Sequence, residues 1–136
     1  MLNYKIKLIK GNNYLPYLKR MLHNDNILII KGQNNKPYLR TKQYFSISHS
    51  HNYTVIVTSN HEIGVDMEYI RRYDSSLLSY LNIPPMTNQQ FFKYYTQKEA
   101  YLKRHALSLK DILRPTNLSH HFHIFKKRGF IITICF

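Results

Sequence analysis

The chain has 136 residues, with twenty Lys and Arg against seven Asp and Glu, for a formal net charge of +13. That length suits one domain with its own hydrophobic core, and the single cysteine, Cys135, excludes an internal disulfide and fits a reducing compartment. The basic stretch from Met1 to Lys10 lacks the apolar run of a signal peptide, and Ile27 to Ile30 is too short to span a bilayer, so a soluble, cytoplasmic protein with no membrane partner is expected.

In chain order, Tyr4 to Ile9 alternates polar and apolar residues, the period of a half-buried strand. Asn12 or Asn13 is placed to cap a short helix through Met21, with Pro16 in the first turn, where its missing N–H costs nothing. Ile27 to Lys31 reads as a short buried strand and Gly32 to Pro37 as a turn. Phe45 to His49 and Tyr53 to Thr58 form a hairpin over Ser50 to Asn52. Glu62 to Tyr69 is a further strand. Asp74 or Ser75 starts a helix that ends before Pro84-Pro85, and Thr87 or Asn88 caps a longer one reaching about Arg104. A last hairpin pairs Phe122 to Phe125 with Phe130 to Cys135 over Lys126 to Gly129.

The two hairpins have the same spelling. Phe45-Ser46-Ile47 is followed eight positions after its Phe by Tyr53 and Thr54-Val55-Ile56-Val57; Phe122-His123-Ile124 is followed at the same distance by Phe130 and Ile131-Ile132-Thr133-Ile134. Each hairpin comes after a strand and a helix. The expectation is a single α+β domain over 1–136, built as two β-α-β-β halves, about 1–60 and 61–136, with the ligand cleft between them.

The strongest chemical signal is Gly64-Val65-Asp66-Met67-Glu68. In a strand, Asp66 and Glu68 share a face while Val65 and Met67 turn to the other. Two hard oxygen ligands on one face make half of a magnesium site, because Mg²⁺ takes one or two carboxylates, waters and substrate phosphate oxygens. Glu99, in Lys98-Glu99-Ala100-Tyr101-Leu102-Lys103, is the natural third carboxylate. Taken alone, Glu99 with Lys103 is also an i, i+4 surface ion pair. Two other features carry less. His120, His121 and His123 have no cysteine partner or second cluster, so a solvated edge strand explains them better than a metal site. Arg71-Arg72 suits an acidic partner helix or a plain basic surface.

These motifs, with Asn35-Lys36-Pro37-Tyr38 and Phe45-Ser46-Ile47-Ser48-His49-Ser50 upstream, resemble the 4'-phosphopantetheinyl transferase superfamily in its Sfp-type, two-halved branch. The N-terminal half is shortened and Asn35 stands where that family has a turn glycine. The resemblance implies the corresponding fold, with the active site at the interface of the halves. It also implies transfer of phosphopantetheine from coenzyme A to a serine of an apo acyl or peptidyl carrier protein, releasing adenosine 3',5'-bisphosphate. Mg²⁺ would be held by Asp66, Glu68 and Glu99. Glu99 would serve as general base, with Lys98 and Lys103 grounding phosphates. Lys36 and Pro37 of the turn, with Ser48 and His49, would bind coenzyme A. Adjacent strand residues face opposite ways, so Ser48 and His49 do not form a nucleophilic pair.

A charge of +13 also predicts attraction to polyanions in general, whether nucleic acid, an anionic membrane, a multiply phosphorylated small molecule or an acidic protein. The alternative source of that charge is codon bias, in a composition rich in Lys, Asn, Ile and Tyr. A monomer without a nucleic-acid partner is expected. Two other readings remain at this point: a metal-dependent phosphodiesterase, and a reduced member of the family acting as a non-catalytic basic binding module.

Overall fold

In the computed structural model, which describes residues 3–113 and 121–136, the first alternating segment is strand β1 (Tyr4–Lys10). Helix α1 (Leu15–Leu22) follows, with Pro16 in its first turn. Its N-cap is Tyr14 and no side chain caps it, so the expected asparagine cap at Asn12 or Asn13 is not made. The stretch read as a buried strand over Ile27 to Lys31 is shorter and more open. Among the described residues, strand β2 (Ile29–Lys31) pairs only with β3 (Pro37–Leu39), which begins at the last residue of the expected Gly32 to Pro37 turn, and Leu28 is 60% exposed. A two-stranded ribbon has one neighbour per strand and cannot enclose its aliphatic residues as a central strand would. Between β2 and β3 a 3₁₀ turn spans Gln33–Asn35, with Asn34 and Asn35 at φ +53° and +62°. Asn35 thus occupies the left-handed region, which glycine enters freely and asparagine tolerates.

Strands β4 (Tyr44–Ser50) and β5 (Tyr53–Ser59) form the first hairpin, and β1 joins the other side of β5, giving an antiparallel sheet in the order β1-β5-β4. The second half gives β6 (Gly64–Tyr69), α2 (Ser76–Leu81), α3 (Asn88–Arg104), a 3₁₀ segment over Leu109–Leu113, and the hairpin β7 (Phe122–Lys127) and β8 (Phe130–Cys135). Its sheet runs β6-β8-β7. Each three-stranded sheet therefore places the half's first strand beside its last. Phe45 pairs with Thr58 and Phe122 with Cys135, so the repeated hairpin spelling corresponds to the same register. Of the two expected caps, Thr87 is the one that caps α3, in a reciprocal capping box with Gln90. Ser75 makes no such cap on α2; Asp74 accepts from the Ser76 N–H at 2.9 Å instead.

Alternation along the strands sorts the core into layers. Val55 and Val57 of β5, Ile63, Val65 and Met67 of β6 and its approach, and Phe130, Ile132 and Ile134 of β8 form one buried cluster between the two sheets. On the outer face of the first sheet, α1 contributes Leu18 and Leu22 against Ile9, Phe45 and Ile56. On the outer face of the second, Phe91, Phe92 and Leu102 of α3 pack with Leu81, Ile112 and Ile131. The fold is α+β, two antiparallel sheets packed together with helices outside. Among the described residues no helix is long and apolar enough to cross a membrane. Cys135, on the central strand β8, is fully buried, and burial pushes its thiol up to about 11.

The sheets also meet edge to edge. β4 and β6 are both edge strands, and where two such strands would usually share a backbone ladder, serine hydroxyls intervene. Ser46 Oγ accepts from the Val65 N–H and Ser48 Oγ from the Met67 N–H, each at 3.1 Å and buried. The alternate residues of β4 thus take the part of main-chain carbonyls, satisfying amides of β6 that burial would otherwise leave costly.

Candidate active site at the seam between the sheets

The core cluster takes Val65 and Met67, so β6 turns Asp66 and Glu68 to its other face, the one covered by α3. What lets α3 come close is Gly64. A Cβ there would lie 2.1 Å from the Ala100 carbonyl oxygen and 2.4 Å from the Arg104 nitrogen, both backbone atoms of α3 and its end. The helix answers with small side chains: Ala100 and Thr96 are fully buried, and Thr96 shares a 2.7 Å hydrogen bond with Thr133 of β8. Glu99 and Lys103 flank that contact stripe and so reach the same face as Asp66.

Asp66 is the centre of the arrangement. It is 5% exposed, and its Oδ1 accepts from Lys103 Nζ at 3.1 Å and from Ser48 Oγ at 3.2 Å. Its Oδ2 is buried and has no hydrogen-bond partner among the described residues. Burial pushes the carboxyl up to about 7; Lys103 opposes this, and the carboxylates of Glu99 and Glu68 add to it. Burial likewise raises Glu99, against the pull of a Tyr95 hydrogen bond and of Lys103. Tyr95, one helical turn before Glu99, is driven above the usual phenol range by burial and then by Glu99, Glu68 and Asp66. The three predicted carboxylates therefore feel one another. Glu68 also pairs with Arg71 at 3.2 Å. Lys103 forms its ion pair with Asp66, across the seam, where an i, i+4 pair with Glu99 was the simpler expectation.

The arrangement has donors for a hard cation but no closed cage. Among the described residues no three His, Cys, Asp or Glu side chains stand grouped to hold a metal ion, His121 and His123 included; His120 lies outside the described residues. The unpartnered Asp66 Oδ2, beside two further carboxylates, fits a cation that draws the rest of its shell from water and ligand phosphate.

Beside the seam lies a cleft of about 210 Å³ whose lining includes Lys36, Pro37, Phe45, Ile47, Lys103 and Leu107. Lys36 reaches under it, donating to the carbonyls of Ile63 at 3.3 Å and Arg104 at 3.2 Å, and Asn34 Nδ2 donates to Ala106 O at 2.8 Å. The 32–37 turn is thereby tied to the end of α3, where a cation suits the helix's negative pole. Burial lowers the Lys36 ammonium to about 8. The other predicted residues are dispersed. Ser48 lies in the seam. His49, on the opposite face of β4, is exposed, with Nδ1 at 3.1 Å from Thr54 Oγ1. Lys98 is buried on another side of α3 and donates to the Ile112 carbonyl at 2.9 Å. Sequence reasoning passed over Ser46 and Tyr95. The first stands two residues before Ser48 and the second four before Glu99, and each of those spacings means a shared face.

No family model matches the chain. Over 100 residues it is 33% identical to the 4'-phosphopantetheinyl transferase gsp of Aneurinibacillus migulanus. The matched stretch is 64% of this chain and 42% of that protein, so the chain spans less than half of the relative's length.

Proposed function

We propose that the chain transfers the 4'-phosphopantetheine group of coenzyme A to a serine hydroxyl of an apo acyl or peptidyl carrier protein. The observation that carries this reading is Asp66, with one oxygen on Lys103, the other buried with no partner among the described residues, and burial, then Glu99 and Glu68, raising its proton affinity. Such a site holds negative charge that a cation bridging to a diphosphate would relieve. The likeness to a named transferase supports the same chemistry.

In this reading the serine oxygen forms a bond to the phosphorus next to the pantetheine arm as the bond to the bridging diphosphate oxygen breaks. Adenosine 3',5'-bisphosphate leaves with that oxygen, and the serine proton passes to Glu99 directly or through water. Glu99 is fitted for this because burial brings its proton affinity nearer the working pH. Mg²⁺, held by Asp66 Oδ2 with Glu68 and Glu99, would supply charge neutralisation at the diphosphate. Lys103 and Lys36 flank the cleft with positive charge for phosphate oxygens, with Pro37 shaping its rim, while His49, exposed outside that lining, would meet a further phosphate. Lys98 holds α3 to the 3₁₀ segment, and Ser48 fixes Asp66 Oδ1.

The test is direct. The chain, coenzyme A, Mg²⁺ and an apo carrier protein should yield a carrier heavier by one phosphopantetheine in the mass spectrum, and Glu99→Gln should abolish the gain. An unmodified carrier with folded chain and several carrier types would refute the activity. One observation favours a second reading, a non-catalytic member that binds without transferring: Lys103 already occupies Asp66, and among the described residues no three ligands are closed up. That reading predicts coenzyme A binding by calorimetry without any change in carrier mass.

A further inference from the structure

The first sheet has a second edge, β1, on the side away from the β4 and β6 seam. Lys5 and Lys7 lie on the same face of β1 as Ile9, which is buried against Leu18 and Leu22 of α1. Positions that continue a core-facing alternation are ordinarily apolar, and polar residues there are expected to have a task. Here both lysines line a groove of about 330 Å³ with Tyr17, Arg20, Met21 and His23 of α1 and its cap. A second cleft of about 270 Å³ shares Lys5 and Met21 with it and continues past Tyr4 to Gln43, Ser59 and Asn60. No carboxylate lines either cleft among the described residues. Arg20 lies over the Tyr17 ring at 4.8 Å, which holds its guanidinium at the groove wall.

Two simpler explanations account for only part of this. Cations at the end of α1 complement its dipole, but the negative pole amounts to about half a charge, which Lys19 or Arg20 alone answers. Lysines on an edge strand discourage strand pairing, yet that needs no partner cations from a neighbouring helix. What remains is a concave site with three positive charges and a histidine at one end, and neutral amides and hydroxyls at the other.

We infer that this groove binds a multiply phosphorylated small molecule, its di- or triphosphate group on Lys5, Lys7, Arg20 and His23. The groove is an open concavity of ligand volume in which four of the six lining residues are Lys, Arg or His, unlike the apolar-centred surface that a protein partner would need. This site is separate from the carboxylate seam and does not rest on the transferase reading. Free polyphosphate and a nucleoside triphosphate share the anchoring chemistry; preference for the latter would place its sugar and base along Tyr4, Gln43 and Asn60.

The experiment uses the full chain without divalent cations. Inorganic tripolyphosphate and, separately, ATP are titrated while backbone amide shifts are followed. Shifts should centre on residues 5–7 and 17–23. The K5Q/K7Q/R20Q triple variant, altered only at exposed positions, should bind at least about tenfold more weakly. A charge-matched control, K126Q/K127Q/R128Q in the exposed β7–β8 hairpin, should change affinity by less than about twofold. Tighter binding of ATP than of tripolyphosphate identifies the nucleotide as the source; equal binding identifies the phosphate chain alone, and both support the site. Equal losses in the two triples would reduce the effect to net charge and overturn the proposal. It would also fall if shifts were confined to the Lys36 and Lys103 cleft, if the groove triple raised the KM for coenzyme A, or if a ten-residue oligothymidylate or oligoglutamate occupied the groove in preference to both probes.

Discussion

Replacing Gly64 with alanine puts a methyl group 2.1 Å from the Ala100 carbonyl oxygen and 2.4 Å from the Arg104 nitrogen, where ordinary contact begins near 3.4 Å. Both obstacles are backbone, so no rotamer change relieves the clash. The end of α3 has to withdraw from β6 by roughly 1 Å, an overpacking change that costs about 2 kcal/mol. For a domain of this size that lowers Tm by about 6–10 °C. Withdrawal also stretches the 3.1 Å link between Lys103 and Asp66 and carries Glu99 with it, and a misplacement of that size costs a transferring site about a hundredfold in rate. The assay pairs differential scanning calorimetry with carrier labelling by mass spectrometry. Gly129→Ala is the control. Its Cβ meets only the ring of the exposed Tyr69, at 2.9 Å, and its φ of +80° is strained for alanine, so stability should fall by about 1 kcal/mol with labelling intact. A Gly64→Ala chain with unchanged Tm and unchanged labelling would show that α3 does not rest on β6 as described, and the reasoning for the site would go with it.

Ser48→Ala strands the buried Met67 N–H and frees Asp66 Oδ1 from one donor; a loss of about 1–3 kcal/mol is expected, with faster hydrogen exchange at Met67 than at Val65, whose acceptor Ser46 remains. Thr87→Ala removes the capping box of α3 and should cost about 1 kcal/mol, read as a Tm shift without change in coenzyme A affinity. Lys36 supplies a pH signature. Its folded value of about 8 lies below the ordinary 10.5, so between those values the unfolded chain binds more protons and stability rises with pH. Phosphate affinity at the cleft should fall over the same rise, as the charge is lost. Lys36→Met should remove both trends, measured as the difference from wild type in Tm and in coenzyme A affinity at pH 7.5 and 9.5. If the wild-type and variant profiles run parallel, Lys36 is not the buried cation described.

The sequence made the strands, the long helix and the two hairpins readable because each carries a local rule. Period-two alternation runs through β1, a capping residue at Thr87 or Asn88 opens α3, and one spelling is shared by β4–β5 and β7–β8. The face assignments of Asp66 and Glu68 followed from the same alternation. What stayed hidden depended on partners distant along the chain. Nothing near Pro37 announces β3, which is held extended by its pairing with β2. Lys98 and Glu99 are neighbours in sequence, yet helical geometry sends one to Ile112 and the other toward the seam. Ser46 and Ser48 carry no sequence signal for accepting amides of β6, since that role exists only once two sheet edges meet. Nor does an isolated Lys103 reveal that its partner is Asp66, thirty-seven residues back.

The position of Cys135 gives the molecule an internal clock. Its thiol sits on the middle strand of the second sheet, opposite Gly64 on one side and Phe122 on the other, and no solvent reaches it. An aromatic disulfide reagent can therefore react only when β8 opens around its last residue, and the colour it releases reports how often that end of the sheet, paired with the start of the acidic strand, comes apart. Bound coenzyme or carrier protein that grips this half should slow the colour change, while molecules held elsewhere should leave its pace untouched.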